Sequence, residues 1–169
     1  VLELSTDGAS VLRVRATLSV IGNVSVARGA GVQGPVVWVT KEPNAEGAPF
    51  HVKGAVAARV FGASSEATTN HQSEASLVFT LPAGGGMVRL FIQADHTKNA
   101  PSPLAAVQNA VQAMTGEGLS TMDRQNREWW RRFWLRSYIR LDHPIQRYWY
   151  NHLYLVGSAA RSGVDKAPG

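Results

Sequence analysis

The sequence contains no cysteine among its 169 residues, and this absence excludes three kinds of chemistry. Without thiols the chain can form no disulfide framework, no zinc–thiolate site and no cysteine nucleophile. The chain also lacks any apolar run near the roughly 20 residues that a membrane-spanning helix needs. Charged residues are sparse at 17%, whereas apolar residues reach 44%, so the chain can bury a core and is not disordered by composition.

Signature motifs of several large enzyme classes are missing as well. The chain has no GxSxG nucleophile elbow, no phosphate-binding loop, no HExxH zinc motif and no dinucleotide fingerprint. Its five histidines are scattered, so we predict no metal site and no cofactor. The twelve acidic residues form no recognisable pair for general acid–base chemistry, and we assign no catalytic residue. Asp95-His96-Thr97 is the most suggestive local group, but a turn that ends a strand with local side-chain bonds explains it better.

The charge and the aromatic residues are distributed unevenly along the chain. Residues 1–119 hold eight basic and eight acidic side chains, whereas residues 120–169 hold nine basic and four acidic ones. The net charge of +5 therefore arises in the last third of the sequence. Four of the five tryptophans also fall there, between Trp129 and Trp149. A shift in both properties predicts two different architectural regions.

The first hundred residues are predicted to form antiparallel β structure. Strands are expected at residues 1–5, 11–20, 36–39, 52–61, 75–81 and 87–94. In the second strand, apolar residues from Leu12 to Val20 alternate with polar ones, as in a sheet with one solvated face. The last two strands, joined by Pro82-Ala83-Gly84-Gly85-Gly86, are expected to pair with each other. A complete sandwich usually needs seven or more strands, so these five or six predict the C-terminal part of a β-sandwich.

The remaining residues are predicted to be helical. Three helices are expected: one that begins at Ser102-Pro103 and ends at Gly116 and Gly118, one from Ser120 through Tyr138, and one that begins at Asp142-His143-Pro144 and ends near Ser158. The first has a cap followed by proline, and the second opens on a sequence that is similar to a capping box. The fold class is therefore α+β, in the order sandwich and then helices.

The segment Asn126–Ser137, NREWWRRFWLRS, is the strongest local feature, and three interpretations of it compete. Arginines on phosphates and rings on bases would indicate nucleic-acid binding. Tryptophan and arginine together are also favoured at a membrane interface. The third interpretation is a buried aromatic stripe whose arginine stems lie along its edges, and we favour it because aromatic helices usually pack against other elements.

About fifty residues resemble the junction between sandwich and barrel in the six-hairpin glycosidases, in particular the fucosidase-like glycoside hydrolases of the family 95 type. The resemblance rests on the run REWWRRFWLRSYIRL, followed by PIQRYWYNHLYLVGSAARSG and APG. The linker pattern of that superfamily, WW-x-x-FW-x-RS, is matched by Trp129, Trp130, Phe133, Trp134, Arg136 and Ser137. The pattern of the first barrel helix is matched by Tyr148, Leu153, Tyr154 and Leu155. One position departs from it, because relatives often carry histidine where this chain has Asn126.

The resemblance implies a β-sandwich over residues 1–100, a helical linker over 101–141 and the first helix of an (α/α)6 barrel over 142–169. It also implies a glycoside hydrolase that acts on oligo- or polysaccharides by general acid–base catalysis. The catalytic groups of such enzymes lie deeper in the barrel, so this chain alone is expected to be inactive and to be part of a longer protein. Pro168 and Gly169 match the start of a loop that tends to line the sugar pocket in relatives.

Further expectations follow from the same resemblance. The partner is a carbohydrate substrate rather than nucleic acid or a membrane, and the location is extracellular or periplasmic. Hydrolysis and phosphorolysis both remain open, because the superfamily also includes, more distantly, the maltose and kojibiose phosphorylases. The alternative function is a non-catalytic β-sandwich module that binds carbohydrate or protein and carries a helical tail.

Overall fold

The computed structural model describes residues 1–21, 26–43, 52–136, 138–141 and 144–159. The chain divides into two compact units, Val1–Leu119 and Ser120–Gly169. This division falls at the position where the charge balance of the sequence changes. The predicted boundaries, after residues 100 and 141, lie on either side of it. We describe each unit by itself.

The described residues contain eight strands and three helices. The strands are β1 (Leu2–Leu4), β2 (Leu12–Ser19), β3 (Val26–Gln33), β4 (Val36–Pro43), β5 (Gly54–Phe61), β6 (Ser65–Thr69), β7 (Glu74–Leu81) and β8 (Val88–His96). The helices are α1 (Pro103–Ala113), α2 (Gly116–Arg136) and α3 (Ile145–Ala159). The predicted α+β class is therefore confirmed, with more strands than the five or six expected from the sequence.

The strands form two antiparallel sheets. The five-stranded sheet has the order β1-β8-β5-β4-β3, and the three-stranded sheet has the order β2-β7-β6. The prediction that residues 75–81 pair with residues 87–94 is wrong, because β7 and β8 belong to different sheets. The glycine-rich turn between them, which includes Gly84 and Gly85 at positive φ, carries the chain from one sheet to the other.

A hydrophobic core fills the space between the two sheets, as in a sandwich. Val37, Val60 and Leu90 from the five-stranded sheet pack with Leu77 and Phe79 from the three-stranded sheet, and all five are buried. The alternation predicted for the second strand is confirmed where it meets this core. The side chains of Val14, Ala16 and Leu18 in β2 pack against the core, while those between them are exposed. A period of two thus places one face of β2 inside.

A second core lies on the opposite face of the five-stranded sheet, where α1 covers it. Val107 and Val111 of α1 are fully buried there against Ala57 and Phe91. Leu119, in the first turn of α2, belongs to the same cluster and is 1% exposed. The first unit is consequently three layers deep, with the five-stranded sheet in the middle.

Strand β3 was not predicted from the sequence, and the reason is its glycine content. Gly29 and Gly31 lower the strand propensity of this edge strand. The structure explains both residues, because a Cβ at Gly31 would overlap the indole ring of Trp38 on β4 and a Cβ at Gly29 would stand 2.7 Å from Thr40 Oγ1. The ring replaces the missing side chains and shields the backbone of the edge strand.

The start of α2 also differs from the prediction. Gly116 and Gly118 do not end the preceding helix but open α2, so Ser120 lies inside the helix and cannot form a capping box. Thr115 caps α2 instead, since its Oγ1 accepts the Gly118 amide at 3.0 Å. The predicted cap of α1 is only partly right: Pro103 is its first residue, but the Ser102 side chain makes no capping hydrogen bond.

Candidate functional site

Four aromatic side chains of α2 form a continuous cluster. Pairs among Trp129, Trp130, Phe133 and Trp134 are one, three or four residues apart, which brings their rings together along one side of the helix. The centroids of neighbouring rings lie 4.8–5.6 Å apart, in both stacked and edge-to-face arrangements. Each such pair contributes about 0.5–1.5 kcal/mol beyond the burial of its area. We call these four residues the aromatic cluster.

The aromatic cluster joins α2 to α3. Trp130 stacks on Tyr154 with centroids 5.2 Å apart, and Trp134 meets Tyr150 at 5.5 Å. Gly157, one turn further along α3, is buried, and a Cβ there would stand 3.0 Å from the ring of Phe133 and 3.1 Å from that of Trp130. A side chain at this position would push the two rings away by a few tenths of an ångström, and glycine lets the helices approach without that shift. The two helices therefore form a hairpin held by an interhelical zipper of rings.

The segment that leaves α2 is fixed to α3 by side-chain hydrogen bonds. The Tyr150 hydroxyl donates to the Ile139 carbonyl at 2.7 Å and accepts from the Ile139 amide at 3.3 Å. The Leu141 amide donates to Gln146 Oε1 at 2.7 Å. Without these side-chain bonds, the amide and carbonyl of Ile139 and the amide of Leu141 would have no hydrogen-bond partner from the backbone of the described residues. These bonds set where the chain turns back, and so the register of the ring zipper.

Replacing Tyr150 by phenylalanine should destabilise the hairpin by about 1–2 kcal/mol, because both backbone groups of Ile139 lose their partner while the ring remains. Hydrogen exchange of the Ile139 amide should accelerate, and chemical denaturation should show the loss in stability. Tyr148→Phe is the matched control, since that tyrosine is 66% exposed. Equal effects of the two variants would contradict the role assigned to the Tyr150 hydroxyl.

The arginines of α2 lie along the exposed side of the helix. Arg127 pairs with Asp123 at 2.8 Å and Arg132 with Glu128 at 3.2 Å, both at i,i+4 spacing. These pairs are largely exposed and each contributes only about 0.3–0.5 kcal/mol. The rings of the aromatic cluster are engaged with one another and with α3. This is the geometry of the packing interpretation, although the rings are half-buried rather than buried.

The structure places five of the six residues of the predicted linker pattern. Trp129, Trp130, Phe133 and Trp134 form the aromatic cluster, whereas Arg136 is exposed at the last residue of α2. Ser137 lies outside the described residues, as do the predicted sugar-loop residues Pro168 and Gly169. Sequence reasoning did not single out Tyr150, and it named Tyr154 only for its match to the barrel-helix pattern. Helical spacing alone does not show which residue of one helix meets which residue of another.

Residues 95–97 form the end of β8 and the start of the turn that follows it. Asp95 Oδ1 accepts the His96 amide at 2.8 Å, and His96 Nδ1 accepts the Lys98 amide at 3.2 Å. Thr97 Oγ1 accepts the Lys53 amide at 3.2 Å. Each side chain thus serves a backbone group nearby, as the structural interpretation of the sequence predicted. In the described part of the chain, no three histidine or acidic side chains come together as a metal site would require.

Two further observations bear on what this protein does. Among the described residues, none of the helices is both long enough and apolar enough to span a bilayer. Comparison of the chain with known proteins found no protein-family model that matches it and no curated protein that is similar to it.

Proposed function

We propose that this chain is part of a glycoside hydrolase, as the resemblance to the six-hairpin glycosidases suggests, with its catalytic groups outside the chain. A β-sandwich is followed by a helical hairpin, which is the order of elements in that superfamily. The hairpin would correspond to the linker and the first helix of an (α/α)6 barrel. The substrate would be an oligo- or polysaccharide, cleaved by a general acid and a directed water molecule.

The observation that carries this proposal is the composition of α3. One face of this helix meets the aromatic cluster, yet the face opposite to it is apolar as well. Five large apolar side chains on that opposite face are 44–66% exposed: Ile145, Tyr148, Trp149, Leu155 and Val156. Arg147 is the only fully charged residue in the helix. A helix that is apolar on two opposite faces is normally packed between other elements, as a barrel helix is.

The activity is tested by comparing this chain with the longer product of the reading frame that contains it. We expect the longer protein to hydrolyse or phosphorolyse an oligosaccharide and the 169-residue chain to turn over nothing. Turnover of an oligosaccharide by the 169-residue chain alone would contradict the proposal. A reading frame without further helical hairpins would do the same and would favour the alternative, a non-catalytic binding module.

The exposed faces of α3 give a second, cheaper prediction. The chain should bind a hydrophobic dye, and changing Ile145, Trp149 and Val156 to glutamine together should remove most of that binding without loss of cooperative unfolding. Val11→Gln is the matched control, because Val11 is 62% exposed and lies in the first unit. If the control lowers dye binding as much as the triple variant does, the exposed apolar face of α3 is not the surface that binds the dye.

A further inference from the structure

Four residues lie side by side at one end of the five-stranded sheet. Arg28 on β3 is the register partner of Lys41 on β4, Lys41 is the partner of Gly54 on β5, and Gly54 is the partner of His96 on β8. Register partners project from the same face of a sheet. This face therefore carries a row of two cations, a gap at the glycine and an imidazole. We call these four residues the donor row.

The two cations of the donor row repel each other. Side chains of directly opposed residues start only about 5 Å apart, and like charges in this position destabilise a strand pair. Both Arg28 and Lys41 are exposed, and neither makes an ion pair with an acidic residue in the described part of the chain. The neighbouring cation Lys53 differs from them, because Glu42 pairs with it. The repulsion between these two like charges lowers the stability of the strand pair, and a bound anion would reduce that repulsion.

The imidazole of the donor row adds a third donor. His96 Nδ1 accepts the Lys98 amide at 3.2 Å, so in the neutral ring the proton sits on Nε2. The carboxylate of Asp95, the preceding residue of β8, accepts the His96 amide, and the Asp95 side chain projects from the opposite face of the sheet. The donor row consequently offers donors and no carboxylate.

A cleft of about 400 Å³ opens directly behind the donor row, between the two sheets. Its walls are mainly apolar: Val39, Val56 and Ala94 from the five-stranded sheet face Val20 and Ile21 on the other side. Of the donor row, Lys41 and Gly54 line the cleft. Asp95 lines it as well, and its backbone carbonyl lies 3.8 Å from the position of a Cβ at Gly54. This volume lies within the range of sites that bind small organic ligands. Walls of methyl groups do not suit the hydroxyls of a sugar, whereas they suit a hydrocarbon.

We propose that this cleft binds a small amphipathic carboxylate. The hydrocarbon part lies between the sheets, and the carboxylate lies at the mouth over Gly54, where Arg28 and Lys41 neutralise it and His96 Nε2 donates to it. The positive charges of the donor row select a carboxylate head group, and the apolar walls of the cleft select a hydrocarbon body. The site is separate from the glycosidase proposal and neither depends on it.

The test titrates the purified chain with octanoate, below its micelle concentration, and with octan-1-ol as the uncharged match, following backbone amide signals by NMR. Octanoate should shift the Gly54 and Lys41 amides saturably, and octanol should bind at least tenfold more weakly. Lys41→Met keeps the apolar stem, and it should weaken octanoate binding at least tenfold while slightly raising Tm through loss of the repulsion with Arg28. Arg15→Met is the matched control, because Arg15 is an exposed cation on β2, away from the cleft, and should leave binding unchanged.

Gly54→Val tests the cleft itself. A Cβ at Gly54 would meet only the Asp95 carbonyl, at 3.8 Å, so the strand can accept the side chain, which would then occupy the place of the carboxylate. Octanoate binding should be lost with the fold intact. Equal affinities for octanoate and octanol would overturn the role of the donor row. Binding of galacturonate as tightly as octanoate would overturn the amphipathic ligand class, and absence of octanoate binding would overturn the site.

Discussion

Trp130→Ala should unfold the helical hairpin while leaving the sandwich unit folded. The Trp130 ring contacts four other rings, those of Trp129, Phe133, Trp134 and Tyr154, and it packs beside Gly157. Truncation of a buried tryptophan to alanine costs about 3–5 kcal/mol, and a half-buried ring should fall near the lower end of that range. Such a loss is large for a two-helix unit, because isolated helices are marginal in water and depend on packing.

Hydrogen exchange read by mass spectrometry separates the two units in one experiment. In the Trp130→Ala variant, amides of α2 beyond Ser120 and of α3 should lose protection, whereas those of β7 and β8 should keep it. The sandwich should survive because its two cores contain no ring of the aromatic cluster. The control is Trp149→Ala, which removes a tryptophan that is 44% exposed and takes part in no described ring pair. If both variants lose the same protection, the zipper is not what holds the hairpin.

The part of the fold that could be predicted is the part that neighbouring residues determine. The alternation in β2 follows from a period of two, and Pro103 marks the start of α1 because its ring fits the first helical turn. The same reasoning failed for Gly116 and Gly118. Glycine is typical of helix ends, but here the Thr115 hydroxyl caps a new helix that tolerates both.

Pairing between strands could not be predicted in the same way. The glycine-rich turn after β7 has the composition of a hairpin turn, yet the chain uses it to change sheets. Which outcome occurs depends on Leu77 and Leu90, which must both face the space between the sheets. The strand β3 was missed for a related reason, since Gly31 is compatible with a strand only because Trp38 covers it.

In the candidate sites too, contacts between residues close in sequence could be predicted, whereas contacts between different elements could not. Helical spacing brought Trp130 and Trp134 together, because residues four apart on a helix are neighbours. The contact of Trp130 with Tyr154 needs the packing of two helices. The donor row needs the register of four strands, and its members are spread over 69 positions of the sequence, from Arg28 to His96. No local pattern could have found it.

Val107→Asp should be the most damaging single change in the first unit. Val107 is fully buried between α1 and the five-stranded sheet, where its cluster with Val111, Phe91 and Leu119 is entirely apolar. A carboxylate there would have no hydrogen-bond partner of its own, and a buried unpaired charge costs roughly 4 kcal/mol or more. Because this is a large part of the stability of a typical domain, we expect α1 to undock or the unit to unfold.

The loss of stability in Val107→Asp should depend on pH. This dependence distinguishes the cost of burying a charge from the cost of changing the size and shape of the side chain, which does not vary with pH. Burial raises the pKa of the introduced carboxyl in the folded state above its unfolded value of about 3.9. The protonated form is tolerated better, so the loss of stability should be smallest at pH values below the unfolded pKa and should grow as pH rises through the folded pKa. Urea denaturation of Val107→Asp and Val107→Asn at several pH values measures this difference.

Asn109→Asp is the control for the charge itself. Asn109 is exposed on the same helix, so a carboxylate there stays in water and should change the free energy of unfolding by less than about 0.5 kcal/mol. If Val107→Asp cost no more than this control, the second core would not hold α1 on the sheet. Leu119 would then lose the packing that anchors the first turn of α2 in the sandwich unit, and the three-layer description of that unit would have to be abandoned.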